Sequence, residues 1–392
     1  MDIGALRAAE ERARLVHPLA CPSAATRGRA VPEPDDGIRT CFERDAHRIL
    51  HARPFRRLRR KTQVFFSPEN DHVTTRMDHS LYVATIASTI CRALGLNDDL
   101  AFAVALGHDL GHAPFGHSGE RLLAGLLARE LPPEAAEDPY THEAQSLRVV
   151  DLLARMAGRT NPGLNLTYEV RDGIRCHCGE STEAAIRPRD PLDARDPATF
   201  LGRGTLPITL EGCVVRMADR IAYLGRDYED AQLAAGLDLP PLPRAIRTVL
   251  GTDNRDVINV LVRDLVAVNQ AHPDTIGFSD EIHEAAMALR AFNYAHIYLH
   301  PRLEAYHAQA DAILVRIFEV SLAWLRARPQ DRWATADPAA PEHFASLAHF
   351  IGGVGYPDPP DPVRVVCDWI SLMSDGWAFR MFHSIALPHP LV

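Results

Sequence analysis

Apolar residues recur at three- and four-residue spacing through most of the chain, a period that predicts helices. The clearest runs are LYVATIASTICRAL (81–94), DLAFAVALGHDL (99–110), ERLLAGLLARE (120–130), EAQSLRVVDLLARMA (143–157) and LEGCVVRMADRIAYLGRDYEDA (210–231). The same habit continues in RDVINVLVRDLVAVNQ, DEIHEAAMALRAFNYAHIY, LEAYHAQADAILVRIFEVSLAWLRA and PVRVVCDWISLMSDGWAFRMF. Asn97 has the short acceptor side chain that caps a helix N-terminus, and Gly95 suits the end of the helix before it. Apart from short ambiguous pieces such as TQVFF, no stretch alternates apolar and polar residues as a half-buried strand would. The predicted fold class is all-α (mainly α).

Between these runs, 187–207 and 237–245 are dense in Pro, Asp and Gly and read as loops. They could separate domains; they are taken as insertions in one helical body, because the helix between them carries a residue needed by the site below. Residues 1–38, rich in Ala, Pro, Arg and Gly, read as a short helix and a mobile lead-in, with the ordered body starting near Arg39. The expected division is a lead-in (1–38), a core (39–235) and a C-terminal helical region (236–392). No internal repeat is visible.

Composition narrows the class. An apolar fraction of 46% with 24% charged residues is that of an ordinary globular protein. The first twenty residues lack the apolar core of a signal peptide, and no later window approaches eighteen uncharged apolar residues, so a cytoplasmic protein is expected. Seven scattered cysteines form no disulfide framework. The close pair in CHC (Cys176 to Cys178) invites a zinc reading, but no second Cys/His pair lies at the required spacing. A net charge of −9 argues against nonspecific binding of nucleic acid. RPFRRLRRK (53–61), with six cations, is the local exception: a solvated helix face, or a polyanion surface if the nearby chemistry handles phosphate.

Candidate chemistry concentrates in GHDLGHAPFGHSGE (107–120). His108 and Asp109 end an apolar helix, where burying both is costly without a shared partner, and a divalent cation would be that partner. Imidazole and carboxylate donors suit Mn, Fe, Ni, Co, Zn or Mg. Two further ligands are available: His79, opening the helix that would pack against the His-Asp helix, and Asp219, mid-helix among Val214, Val215, Ala218, Ile221 and Ala222.

The order His79, His108-Asp109, Asp219 resembles the H...HD...D ligand pattern of the HD-domain phosphohydrolases. The chain is most similar to their deoxynucleoside triphosphate triphosphohydrolases, which include bacterial dGTPase-like proteins and the SAM-and-HD-domain enzymes. FERDAHRILHARPFRRLRRKTQVFFSPENDHVTTRMDHSL, HDLGHAPFGHSGE, YTHEAQSLRVVD, GLNLTYEVRDGI, DRIAYLGRDYEDA and VVCDWISLMSDGWAFRMF follow in that family's order; the match is continuous over 39–231 and patchy beyond.

The resemblance implies an HD-domain helical bundle with additional C-terminal helices that complete the nucleotide pocket and the oligomer contacts. It implies metal ligation by His79, His108, Asp109 and Asp219, and hydrolysis of a dNTP at the α-phosphate to deoxynucleoside and triphosphate. Pro114 and Gly116 would turn the chain so that His117, the catalytic histidine, and Glu120, which orients it, face the substrate. Arg76 matches a phosphate-contacting arginine, while His112 and His142 match histidines beside the phosphates, His142 being counted with the catalytic set. Tyr223 and Asp227 follow Asp219 at i+4 and i+8 on one helical face; by resemblance they meet the sugar where a 2′-hydroxyl would clash and the 3′-hydroxyl, though on residues alone they read as a core tyrosine and a surface aspartate. Gln63 resembles a residue near the sugar, Arg290 one that reaches phosphate and Tyr294 one that lines the base pocket. Relatives form homo-oligomers, often hexamers, and some bind a regulatory nucleotide; no membrane or nucleic-acid partner is implied. A nucleotidase, a cyclic nucleotide phosphodiesterase or a catalytically silent nucleotide sensor are the alternatives on the same scaffold. GHSGE and DRIAYLGRDYEDA speak against the first two, and the intact ligand set with His117 against the third.

Overall fold

The structure is a computed structural model that describes residues 3–66, 70, 72–132, 140–156, 162–178, 182–190, 205–233, 236–336 and 340–387. Among these the chain is all-α. Three helices precede the core: α1 (Ile3–Arg14), α2 (Cys41–His51) and α3 (Arg53–Arg57). The core helices are α4 (Arg76–Leu94), α5 (Asp98–Gly107), α6 (Gly116–Glu130), α7 (His142–Arg148), α8 (Tyr168–Cys176) and α9 (Leu210–Leu233). Then come α10 (Arg244–Leu250), α11 (Asn254–Ala271), α12 (Asp280–Asn293), α13 (Pro301–Arg326), α14 (Glu342–Val354), α15 (Pro362–Ser371) and α16 (Asp375–Ala386). The one departure is a ribbon of β1 (Ala185–Ile186) and β2 (Ile276–Gly277), antiparallel with Ala185 opposite Gly277. TQVFF forms no strand; Thr62 makes an isolated bridge to Thr75. None of the described helices is long and apolar enough to cross a membrane.

Helix α5 is apolar all round and therefore central: Leu100, Ala101, Ala103, Val104, Ala105 and Leu106 are all buried, enclosed by α2, α4, α8 and α9. Asn97 caps it, accepting from the amides of Asp99 and Leu100, and Gly95 ends α4 at φ 71°. A second core gathers α6 and α13 to α16 around Leu314, Ile317, Phe318, Val365 and Trp369. The His-Asp segment 108–116 passes from one core to the other, so anything it carries is held from both sides.

Three boundaries differ from the periodic reading. α5 stops at Gly107, and His108 to Leu110 turn instead of continuing the helix. The run 143–157 ends as an α-helix at Arg148 and widens to a π-turn over Val149–Leu153, because the returning chain takes its carbonyls: Leu164 donates to Val150 O at 2.6 Å and Gly163 to Ala154 O at 3.0 Å; residue 157 lies outside the described residues. α8 has no predicted counterpart, since Glu169, Asp172 and Arg175 are buried in it and blur the apolar face.

Residues 3–38, expected as a mobile lead-in, are fastened to the body by polar contacts to which hydrophobic periodicity is blind. Buried Glu11 accepts from Ser23 N, Ser23 Oγ and Asn97 Nδ2. Glu211 accepts from Cys21 N and Asn97 N, and Arg29 pairs with the fully buried Asp45.

Candidate metal centre

Thr75 and Asp78 form a capping box that starts α4 at Arg76. Arg76 and His79, three residues apart, then share the buried face of its first turn. His108 sits one residue past α5, with its Nδ1–H donated to Ala105 O at 2.6 Å, so that Nε2 is the ring nitrogen on the side of the carboxylates. Asp219 enters from the middle of α9. His79 Nε2 lies 2.9 Å from Asp219 Oδ1 and 4.0 Å from Asp109 Oδ2. His108 Nε2 lies 3.3 Å from Asp109 Oδ1 and 3.9 Å from Asp219 Oδ1, yet makes no hydrogen bond among the described residues. The four residues singled out as ligands therefore converge from three elements.

This donor set fits a divalent cation. Burial alone would push Asp109 and Asp219 up, but their neighbours outweigh it: His108, the His112 hydrogen bond and Arg76 hold Asp109 well below the usual range, and the His79 hydrogen bond brings Asp219 to about 2. Both carboxylates thus present anionic oxygens beside an unpartnered nitrogen, the arrangement that hard-to-borderline ions satisfy.

A second group of imidazoles adjoins the first. His112 Nε2 is 3.1 Å from Asp109 Oδ1, and its ring stacks on His142 at 4.0 Å. Glu120 accepts from His142 N at 2.9 Å, from His142 Nδ1 at 3.1 Å and from His117 Nδ1 at 3.2 Å. Against the opposing effect of burial, His142 holds Glu120 well below the carboxylate range, and Glu120 in turn raises His142 well above the usual imidazole value. Beside Arg76 and His142, burial keeps His112 neutral. His117 is the exposed member, with 66% of its side chain accessible. Arg76 gives NH1 to Asp109 at 3.0 Å, whereas its Nε and NH2 are buried with no partner among the described residues, two donors positioned for an anion.

The turn carrying these groups is strained and braced. Phe115 at φ 63° and Gly116 at φ 66° both adopt left-handed backbone, which costs a residue with a Cβ on the order of 1–3 kcal/mol. Asp375 accepts from Phe115 N at 3.0 Å and from Thr62 N at 2.8 Å. Buried Lys61 donates to His112 O at 2.5 Å and Ser371 O at 2.6 Å. Neither stands out in the sequence: Lys61 reads as part of the basic run, of which Arg57 also turns inward to Leu372 O, and Asp375 reads only as a helix-start acid.

On α9, Tyr223 is half-buried one turn beyond Asp219, its hydroxyl pushed up to about 12 by burial and that carboxylate. Asp227 accepts from Tyr298 Oη at 2.5 Å, and nothing in the sequence singles out Tyr298. The backbone oxygen of Gln63 and Arg76 NH2 both border the space where a Cβ of Gly116 would sit, and Gln63 Oε1 is buried and unpartnered among the described residues. Arg290 acts on Tyr223 through its charge. Tyr294 is 55% exposed with its ring edge-on to Tyr298, so it stands outside the buried cluster.

A helical body converging two imidazoles and two carboxylates, flanked by an arginine and three histidines, has donors suited to a divalent cation and an anion side by side. Residues 76–224 match the HD domain and residues 276–384 the phosphohydrolase-associated domain. The chain is 39% identical over 377 residues to a deoxyguanosinetriphosphate triphosphohydrolase-like protein of Desulfatibacillum aliphaticivorans, covering 96% of this chain and 95% of that one. It is 37% identical to the protein so named from Caldanaerobacter subterraneus, covering 96% and 94%, and 34% identical to that from Clostridium tetani, covering 93% and 90%. The chain belongs to this family of HD-domain phosphohydrolases.

Proposed function

We propose that the chain is a divalent-metal-dependent dNTP triphosphohydrolase of the dGTPase type. It cleaves the bond between the α-phosphorus and the 5′ oxygen with one water, releasing deoxynucleoside and intact triphosphate. The observation that carries this reading is the convergence of His79, His108, Asp109 and Asp219 within 4.0 Å contacts beside the idle donors of Arg76.

A divalent cation bound there, whether Mn, Mg, Co, Ni, Fe or Zn, supplies Lewis acidity toward a phosphoryl oxygen and water. The chain's own groups do the rest. Arg76 offers Nε and NH2 to phosphate oxygens, with His112 and the charged His142 beside it. Glu120 fixes His117 through Nδ1, leaving Nε2 to pass a proton to or from the reacting oxygens. Tyr223 closes the space a 2′-hydroxyl would need, Asp227 with Tyr298 takes the 3′-hydroxyl, and Gln63 lies beside the sugar. Arg290 reaches the phosphates and Tyr294 borders the base. The reading extends to a cytoplasmic homo-oligomer, with 39–235 as the catalytic core and 236–392 completing pocket and subunit contacts; light scattering with and without added dNTP counts the subunits and checks for a regulatory nucleotide together.

The deciding experiment incubates the protein with each dNTP and its ribose counterpart, with Mn, Mg, Co and Ni in separate arms, and separates the products. Nucleoside plus triphosphate from deoxy substrates is expected. Orthophosphate release replaces this reading with a nucleotidase, and tight binding without products replaces it with a sensor.

A further inference from the structure

His177 lies one residue past α8, in the CHC stretch (Cys176 to Cys178). Its ring is buried and donates Nδ1–H to Ile174 O at 2.7 Å, the same carbonyl tether that fixes His108. Its Nε2 therefore carries a lone pair, and that atom is buried with no hydrogen-bond partner among the described residues. An orphaned acceptor of this kind is costly unless something outside the chain satisfies it.

The ring lies among other donors, with the His142 ring 5.2 Å away between centroids. The His177 and His108 rings are 4.9 Å apart between centroids, and donor atoms of His108, Asp109 and His177 all lie within 4.8 Å of one another. Nitrogen ligands stand about 2.1 Å from a divalent ion, so donors sharing one ion are about 3.0 Å apart when adjacent and about 4.2 Å when opposite in an octahedron. The fold reaches this placement through Gly173: a Cβ there would come within 2.6 Å of Val104 Cγ2, so only the missing side chain lets the end of α8 lie against the end of α5. We propose that His177 is a ligand of the divalent cation, a third imidazole beside His79 and His108.

The assignment rests on the metal centre proposed above and deepens it. A His3Asp2 donor set is richer in nitrogen than the four-residue set, and imidazole favours Mn, Co, Ni or Zn over Mg, which prefers oxygen and water. The carbonyl tether of Nδ1 gives His177 the outer contact that metal-binding histidines use to fix their tautomer.

The test titrates Mn2+ alone into the metal-stripped full chain, measures affinity by calorimetry and counts directly bound imidazole nitrogens by pulsed EPR. Three nitrogens are expected in the unaltered protein and two in His177→Gln, with affinity falling on the order of 10- to 100-fold. His177→Asp, which exchanges one donor for another, should hold affinity within tenfold and shift preference toward Mg2+; it also serves if the Gln variant fails to fold by circular dichroism. Two nitrogens in the unaltered protein, or undiminished affinity in both variants, overturn the assignment. No Mn2+ binding by the unaltered protein overturns the metal centre itself.

Discussion

Glu120 is the residue on which the second histidine group depends. Its two oxygens take the Nδ1–H groups of His117 and His142 and the amide of His142, three donors that a neutral amide cannot all serve. Glu120→Gln should lower kcat on the order of 100-fold while leaving Mn2+ affinity within a few fold, since its contacts are to His117, His142 and His112, none of them in the proposed ligand set. Unchanged kcat, or collapse of metal binding, would show that the carboxylate does something else. Asp227 contributes one pH dependence that can be isolated. Burial raises it to about 7 against the opposing hydrogen bond from Tyr298, so between about pH 4 and 7 the folded chain holds a proton that the unfolded chain has lost. Stability contributed by that proton is complete below about pH 4 and drains away as pH rises through 7, at about 1.4 kcal/mol for each pH unit crossed. Urea unfolding at pH 5 and pH 8 should show the unaltered protein losing a few kcal/mol relative to Asp227→Asn. Parallel pH responses in the two would remove Asp227 as the titrating group.

Elements are legible in the sequence where burial is apolar and illegible where it is polar. Helices α4, α5, α6 and α9 follow from their period, and the capping roles of Asn97 and Gly95 from their chemistry. Helix α8 hides because Glu169, Asp172 and Arg175 occupy its buried face, and the fastening of residues 3–38 hides because carboxylates such as Glu11 and Glu211 hold them. The site divides the same way. His79, His108, Asp109 and Asp219 stand out because a titratable group among apolar neighbours is conspicuous and because their order resembles a known pattern. Lys61, Asp375 and Tyr298 do not, since each acts across more than 50 residues from a position with nothing local to mark it. His177 leaves only a faint signal in CHC, because its partners are distant in the chain.

At the scale of the whole molecule the proposed ligands tie together elements separated by 140 positions, His79 on α4 and Asp219 on α9, with His108 and Asp109 on the turn between the two cores. A cation bound only by the folded chain stabilises it by mass action. At one hundred times its dissociation constant this amounts to about 2.7 kcal/mol. A chain of 392 residues unfolds with an entropy of roughly 0.8 kcal/mol per kelvin, so the midpoint should rise by roughly 3 °C and fall back on chelation. Asp219→Asn keeps the volume of the side chain but removes an anionic ligand, and it should melt at the same temperature with and without Mn2+. Scanning calorimetry of both proteins decides the matter: no metal-dependent shift in the unaltered chain, or an equal shift in the variant, means that the four residues do not act as one site joining α4, α5 and α9.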